Sequence, residues 1–268
     1  MFENKKLFIF DMDGTIYLGN LVFPYAIDFI KNLRAHGRRV MFFTNNASHN
    51  PDFYQKKLEK MGFEPARDEI MTSGDVTIKF LKSHRADKSV YLVGTDELVT
   101  QFKSEGIELV SDAEASAGRD ADIAITSFDT SLTYEKLNNV CRMVRKGAEY
   151  LSTHPDFNCP TEDGFIPDSG AISAFVTAST GVEPTYFGKP YVQTVEMISE
   201  YTGLSKDEMC VFGDRLYTDI AMGKLHGVTA TLVLTGETTM KDVESAREEQ
   251  RPDFIYPSLL EVDKEMFE

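Results

Sequence analysis

The chain has 268 residues, 42% apolar and 26% charged, which suits one large globular domain or two modest ones and excludes disordered, collagen-like and coiled-coil classes. A formal net charge of −15, with no local Lys/Arg run to offset it, argues against nucleic acid or an anionic membrane as partner. Cys141, Cys159 and Cys210 are odd in number and scattered, so neither a disulfide framework nor a zinc site is indicated and a reducing cytoplasm fits best; the apolar run that Asp11 ends is too short for a signal peptide or a membrane span.

In chain order, Leu7-Phe8-Ile9-Phe10 is a continuous apolar run of the kind that forms a buried parallel strand, and it stops at Asp-Met-Asp-Gly. A helix is predicted from Pro24, with a stripe of Ile27, Phe29, Ile30 and Leu33 and a stop at Gly37. Val40–Phe43 reads as the next strand, ending at Thr44-Asn45-Asn46, and helical patterns follow at 52–61 and 75–83. The alternation resumes with a strand at 90–93, a helix at 97–105, a strand at 123–126, a helix at 134–146 and a strand at 149–152. After a turn-rich stretch from His154 to Gly170 comes a helix at 171–179. A last round places strands at 185–187, 208–212 and 231–234, with helices at 192–201 and 218–225. Repeated strand-helix units predict an α/β protein with mainly parallel sheets, whose ligands gather beyond the carboxyl ends of the strands.

Each polar cluster that stands out follows an apolar strand. Asp11-Met12-Asp13-Gly14-Thr15 offers two carboxylates beside a tight turn, suited to a hard cation and to covalent and acid-base work; alone, it is equally an ordinary Asp/Gly turn. Thr44, Asn45 and Asn46 are neutral groups able to hold phosphoryl oxygens, although a helix cap or an Asx turn is the more common use of such a triplet. Lys189, between Gly188 and Pro190, can present an ammonium at strand ends. Asp214 and Asp219 lie on a loop entering a helix, where Asp219 or Thr218 could also serve as a plain cap. An acidic chain needs local cations to hold an anionic substrate.

In this order the words FIFDMDGT (8–15), FFTNNA (42–47), GKP (188–190) and VFGDRLYTDIAMG (211–223) resemble the four motifs of the haloacid-dehalogenase (HAD) superfamily. The last two, with the SGA…TG segment at 169–181, resemble its NagD-like branch, class IIA with a C2 cap. The resemblance implies a Rossmann-like HAD core with a parallel sheet, formed by 1–80 and 182–268, and an inserted α/β C2 cap domain at 81–181. The long separation of Thr44 from Lys189, far beyond one crossover, points independently to an inserted domain.

The resemblance further implies a Mg2+-dependent phosphatase acting on small phosphorylated metabolites, nucleoside monophosphates or sugar phosphates. Asp11 would be the nucleophile that becomes an aspartyl-phosphate, and Asp13 the general acid and base. The metal would be held by Asp11, the Asp13 carbonyl and Asp214, with Asp219 behind them. Thr44, Asn45, Asn46 and Lys189 would bind phosphate. In capped relatives a cap loop meets the substrate at the stretch matching Phe157 to Glu162, here including Asn158, Cys159, Pro160 and Glu162; a plain hairpin connection is the other reading. Relatives that accept pyridoxal phosphate carry histidine where Cys159 stands, which disfavours that substrate. A homo-oligomer through the cap is left open. A phosphotransferase or mutase of the same fold is the alternative, and a receiver-like signalling protein is disfavoured by the Gly213–Asp219 element.

Overall fold

Leu7–Phe10 is fully buried and lies at the centre of a six-stranded sheet in the computed structural model, which describes residues 2–161 and 164–268. The strand order is Phe254–Tyr256, Thr229–Val233, Met209–Gly213, Leu7–Phe10, Arg39–Thr44, Ile70–Thr72. Leu7 is in register with Met209 on one side and Arg39 on the other, both parallel. Because side chains alternate across a strand, Phe8 and Phe10 share one face of the sheet and Leu7 and Ile9 the other. The Phe8 and Phe10 face carries an aromatic core. Phe10 stacks on Phe212 at 5.1 Å between centroids, and Phe29 of helix Pro24–Ala35 meets Phe10 edge-on at 5.9 Å. That helix begins on its proline and buries Ala26, Phe29, Ile30 and Leu33, as its apolar spacing predicts.

The chain forms two compact units. The first comprises Met1–Thr44, Pro51–Met71 and Lys189–Glu268, and contains this sheet. The second comprises Asn45–Asn50 and Thr72–Gly188, and has a four-stranded parallel sheet in the order Thr185–Tyr186, Glu149–Ser152, Ile123–Thr126, Val90–Val93. Helices Tyr134–Arg145 and Ser169–Thr180 supply Val140, Met143, Ile172 and Val176 to a separate core around Tyr91 and Tyr150. Asn158–Thr161 pairs antiparallel with Gly164–Pro167.

The longer of the second unit's two segments begins at Thr72 and ends at Gly188. Packing gives the reason. Helix Ser73–His84 opens with a Thr72/Asp75 capping box, Asp75 also accepts a bond from Gln101, and Phe80 lies 5.0 Å from the Phe187 ring, all within that unit. Among the described residues no helix is long and apolar enough to cross a membrane.

Candidate active site

The chain adds strands first on one side of Leu7–Phe10 and later on the other, which makes a topological switch point where the carboxyl ends of adjacent parallel strands leave a crevice. Asp11 follows Phe10 there, its amide still bonded to Phe212 O at 2.9 Å. Asp214 follows Gly213 on the neighbouring strand, and Thr44 ends the strand on the other side. Asp219 comes from a wide turn, Leu216–Ile220, in which Ile220 N bonds back to Arg215 O, and its Oδ2 accepts from the Arg215 amide at 3.2 Å. The helix expected at 218–225 therefore begins as this turn and becomes α-helical only at Ala221–His226.

Within the first unit, one ligand oxygen each of Asp11, Asp214 and Asp219 lies within 4.8 Å of the others. Lys189, 3% exposed, is ion-paired with Asp11 and, at 2.6 Å, with Asp219. Burial alone would lower the Lys189 pKa, but Asp11 and Asp219 more than reverse that and hold it charged. For Asp11, burial pushes the carboxyl up against the opposing pull of Lys189. Asp214 is raised by burial and then by its neighbours Asp11 and Asp219. Three carboxylates thus share one directly paired ammonium, with the Arg215 guanidinium acting on the same cluster, leaving excess negative charge in a confined place.

Asp214 is held firmly. Its Oδ2 accepts the Glu237 amide at 2.7 Å, while its Oδ1 is buried and has no hydrogen-bond partner among the described residues. Glycine lets the backbone crowd it: a Cβ on Gly236 would stand 2.0 Å from Asp214 Oδ2, and one on Gly14, at φ +88°, 2.4 Å from the same atom. Thr235 Oγ1 ties the two loops by donating to Gly14 O at 2.6 Å. The orphaned oxygen, the all-oxygen donor set and the surplus charge fit a hard divalent cation. Gly236, Glu237 and Thr235 are absent from the sequence-predicted set. Their one signal is that Thr-Gly-Glu is a further polar cluster just past an apolar strand.

The remaining predicted residues are placed as follows. Asp13 is exposed, with Oδ1 accepting the Gly19 amide at 3.2 Å, and its backbone bridges to Tyr17. Asn45 and Asn46 fall with the second unit. Asn45 is buried and donates to Asp156 Oδ2 at 3.2 Å. Asn46 makes an Asx turn, its Oδ1 accepting the Ser48 amide at 2.9 Å and hydroxyl at 2.6 Å, and its Nδ2 lies 3.9 Å from Cys159 Sγ. Asn158, Cys159 and Pro160 lie on the antiparallel pair of strands, where the large side chains of Phe157 and Phe165 are exposed; Glu162 lies outside the described residues.

Residues 8–108 match the family model of the haloacid dehalogenase-like hydrolases, and 186–262 match a second, HAD-hydrolase-like model. An acid sugar phosphatase of Staphylococcus haemolyticus is 32% identical over 257 residues, spanning 96% of this chain and 95% of its own length. The structure of a 4-nitrophenylphosphatase from Thermotoga maritima superimposes with a TM-score of 0.90 at 39% identity, covering 98% of both chains. A protein described as a putative nagD protein gives 0.88 at 38% identity over 99% of this chain and 100% of its own. The chain therefore belongs to the haloacid dehalogenase-like hydrolases, in their NagD-like branch of phosphoric monoester hydrolases. Hydrolases of this class generally use a divalent metal, in keeping with the Asp11, Asp214 and Asp219 cluster.

Proposed function

We propose that the chain hydrolyses small phosphate monoesters, sugar phosphates before nucleoside monophosphates, through an aspartyl-phosphate on Asp11. The observation that carries this reading is the convergence of Asp11, Asp214 and Asp219 within 4.8 Å, beside a buried Lys189, with one Asp214 oxygen that has no partner among the described residues. The name of the staphylococcal relative favours sugar phosphates.

Asp11, Asp214 and the Asp13 carbonyl would hold the cation, Mg2+ in view of its preference for hard oxygen donors. When bound, it supplies the positive charge that lets a carboxylate approach a phosphate. Lys189 fixes the Asp11 carboxylate and adds a second positive charge where the equatorial oxygens of the transferring group gather. An Asp11 oxygen attacks phosphorus, the bond from phosphorus to the alcohol oxygen breaks, and Asp13 gives that oxygen a proton. Water then attacks the acyl phosphate, Asp13 takes a proton from it, and Asp11 is regenerated with release of inorganic phosphate. Thr44 and Asn45 complete the phosphate contacts. The exposed Asp13 is well suited to exchange its proton with solvent. The second unit is proposed as the C2 cap, with the Asn158–Thr161 and Gly164–Pro167 strands choosing among substrates.

Incubation with 4-nitrophenyl phosphate and a panel of sugar phosphates, with Mg2+ or with chelator, is the test. Metal-dependent release of phosphate that Asp11→Asn abolishes in a folded protein is expected. A phosphorylated acceptor in place of free phosphate, or turnover retained by Asp11→Asn, would refute it.

A further inference from the structure

The second unit buries a histidine that the proposed chemistry does not use. His154 is 0% exposed. Its Nε2 lies 2.8 Å from Asp168 Oδ1, and the same carboxylate oxygen accepts the Ser169 amide at 2.6 Å at the start of helix Ser169–Thr180. Its Nδ1 lies 2.9 Å from Thr153 Oγ1 and 3.4 Å from Ser73 Oγ.

Proton accounting decides what the imidazole carries. Thr153 Oγ1 gives its hydroxyl proton to Ser127 Oγ at 2.8 Å, and Ser73 Oγ gives its own to the backbone carbonyl of Asn45 at 2.5 Å. Neither hydroxyl has a proton left for His154, so both can only accept from Nδ1. Nε2 faces a carboxylate oxygen, which is likewise an acceptor. Both ring nitrogens must therefore donate, which only the imidazolium does. The charge is buried but paired. Asp168 faces it directly and Asp156 adds a second negative charge nearby, together outweighing the burial that would otherwise neutralise the ring.

This cation sits at the end of a path to the phosphate-binding candidate. Ser73 Oγ, itself fully buried, joins the ring to Asn45 O, and Asp156 holds the Asn45 side-chain amide. We infer that His154, kept doubly protonated by Asp168, is a positioning residue for Asn45, acting through Ser73. The inference rests on the reading that Asn45 holds phosphoryl oxygens. Loss of the Nε2 proton removes the Asp168 bond, and loss of the Nδ1 proton removes the bonds toward Thr153 and Ser73, leaving the hydroxyl that anchors the Asn45 carbonyl free to turn toward the bare ring nitrogen.

Two measurements on the whole protein test this separately. Nitrogen NMR of histidine-labelled protein at about pH 7.5, a unit above the ordinary histidine pKa, is expected to give two N–H type signals for His154, assigned by their loss in His154→Gln. One bare ring nitrogen at that pH overturns the inference. Asp168→Asn is expected to return the ring to a single proton.

Kinetics tests the path. Ser73→Ala is expected to raise KM for 4-nitrophenyl phosphate and the inhibition constant for inorganic phosphate, lowering kcat/KM on the order of 10- to 100-fold. Its circular dichroism spectrum should match the parent. Ser73→Ala combined with Asn45→Ala should be no worse than Asn45→Ala alone, because the two act as one unit. Fully additive losses would show that Ser73 does not work through Asn45 and would overturn the positioning role. If Asn45→Ala alone changes nothing, the phosphate reading of Asn45 fails and takes the positioning role with it, while the protonation result stands by itself.

Discussion

Lys189→Met isolates the electrostatics of the first unit, because it keeps the side chain's bulk and removes its charge. The ammonium is buried between Asp11 and Asp219, with Asp214 close by. Removing one partner from a buried ion pair costs about 3–5 kcal/mol, since the other charges stay behind without compensation. For a chain of this size that corresponds to a fall in melting temperature of roughly 6–20 °C. The deficit should depend on pH in a definite sense. Asp11 and Asp214 have folded pKa values above their ordinary ones, raised first by burial. An acid raised on folding takes up protons in the folded state, so stability falls as pH rises from about 4, the ordinary value, through the folded value. Removing Lys189 raises Asp11 further. The variant's deficit should therefore be smaller near pH 5, where Asp11 and Asp214 are largely protonated, than near pH 8. Thermal melts by circular dichroism in chelator at both pH values, repeated with Mg2+, would measure it. An equal melting temperature at the higher pH, or a deficit that does not change with pH, would refute the view that Lys189 neutralises this cluster.

Other perturbations reach the same machinery. Gly236→Ala should weaken the Mg2+ dependence of activity about 10- to 100-fold with the fold intact, because its Cβ would stand 2.0 Å from Asp214 Oδ2 and turn that carboxylate aside; an unchanged activation constant would contradict this. Asp214→Asn should abolish metal activation yet raise the melting temperature in chelator at alkaline pH, by removing one of three clustered negative charges, as paired activity and melting curves would show. His154→Gln should cost most stability below about pH 6.5, the unfolded value, and progressively less as pH rises through the raised folded value; denaturant titrations at several pH values test that sign. Phe212→Ala should cost about 3–5 kcal/mol by emptying the stack against Phe10, measured as a drop in denaturation midpoint.

Legibility in the sequence follows how local each signal is. Val90–Val93, Ile123–Thr126 and Glu149–Ser152 have the predicted bounds, because short apolar runs between helices with clear caps have few other uses. Ile70–Thr72 escapes notice: it has three residues, and Thr72 already begins the capping box of the next helix. The Asn158–Thr161 and Gly164–Pro167 strands carry prolines and no alternating pattern, so their pairing depends on contacts, not propensity. At the site, Asp11, Lys189 and Asp214 are legible from motif and position. Gly236 and Glu237 are not, because their part is defined by a carboxylate more than twenty residues away. His154 is similarly hidden. Its role depends on Asp168, Thr153 and Ser73 closing around it, and only the first two are near in sequence.

The discontinuous first unit sets an order on biosynthesis. Leu7 and Cys210, neighbours across the central pair of strands, are 203 positions apart. At about 5–20 residues per second the early strand waits on the order of 10–40 s for that neighbour to emerge. Meanwhile Thr72–Gly188 is already available as one nearly continuous stretch with its own sheet. The inserted unit is therefore placed to settle on the ribosome first. The apolar edge of Leu7–Phe10 is the surface that a nascent-chain chaperone has most reason to shield.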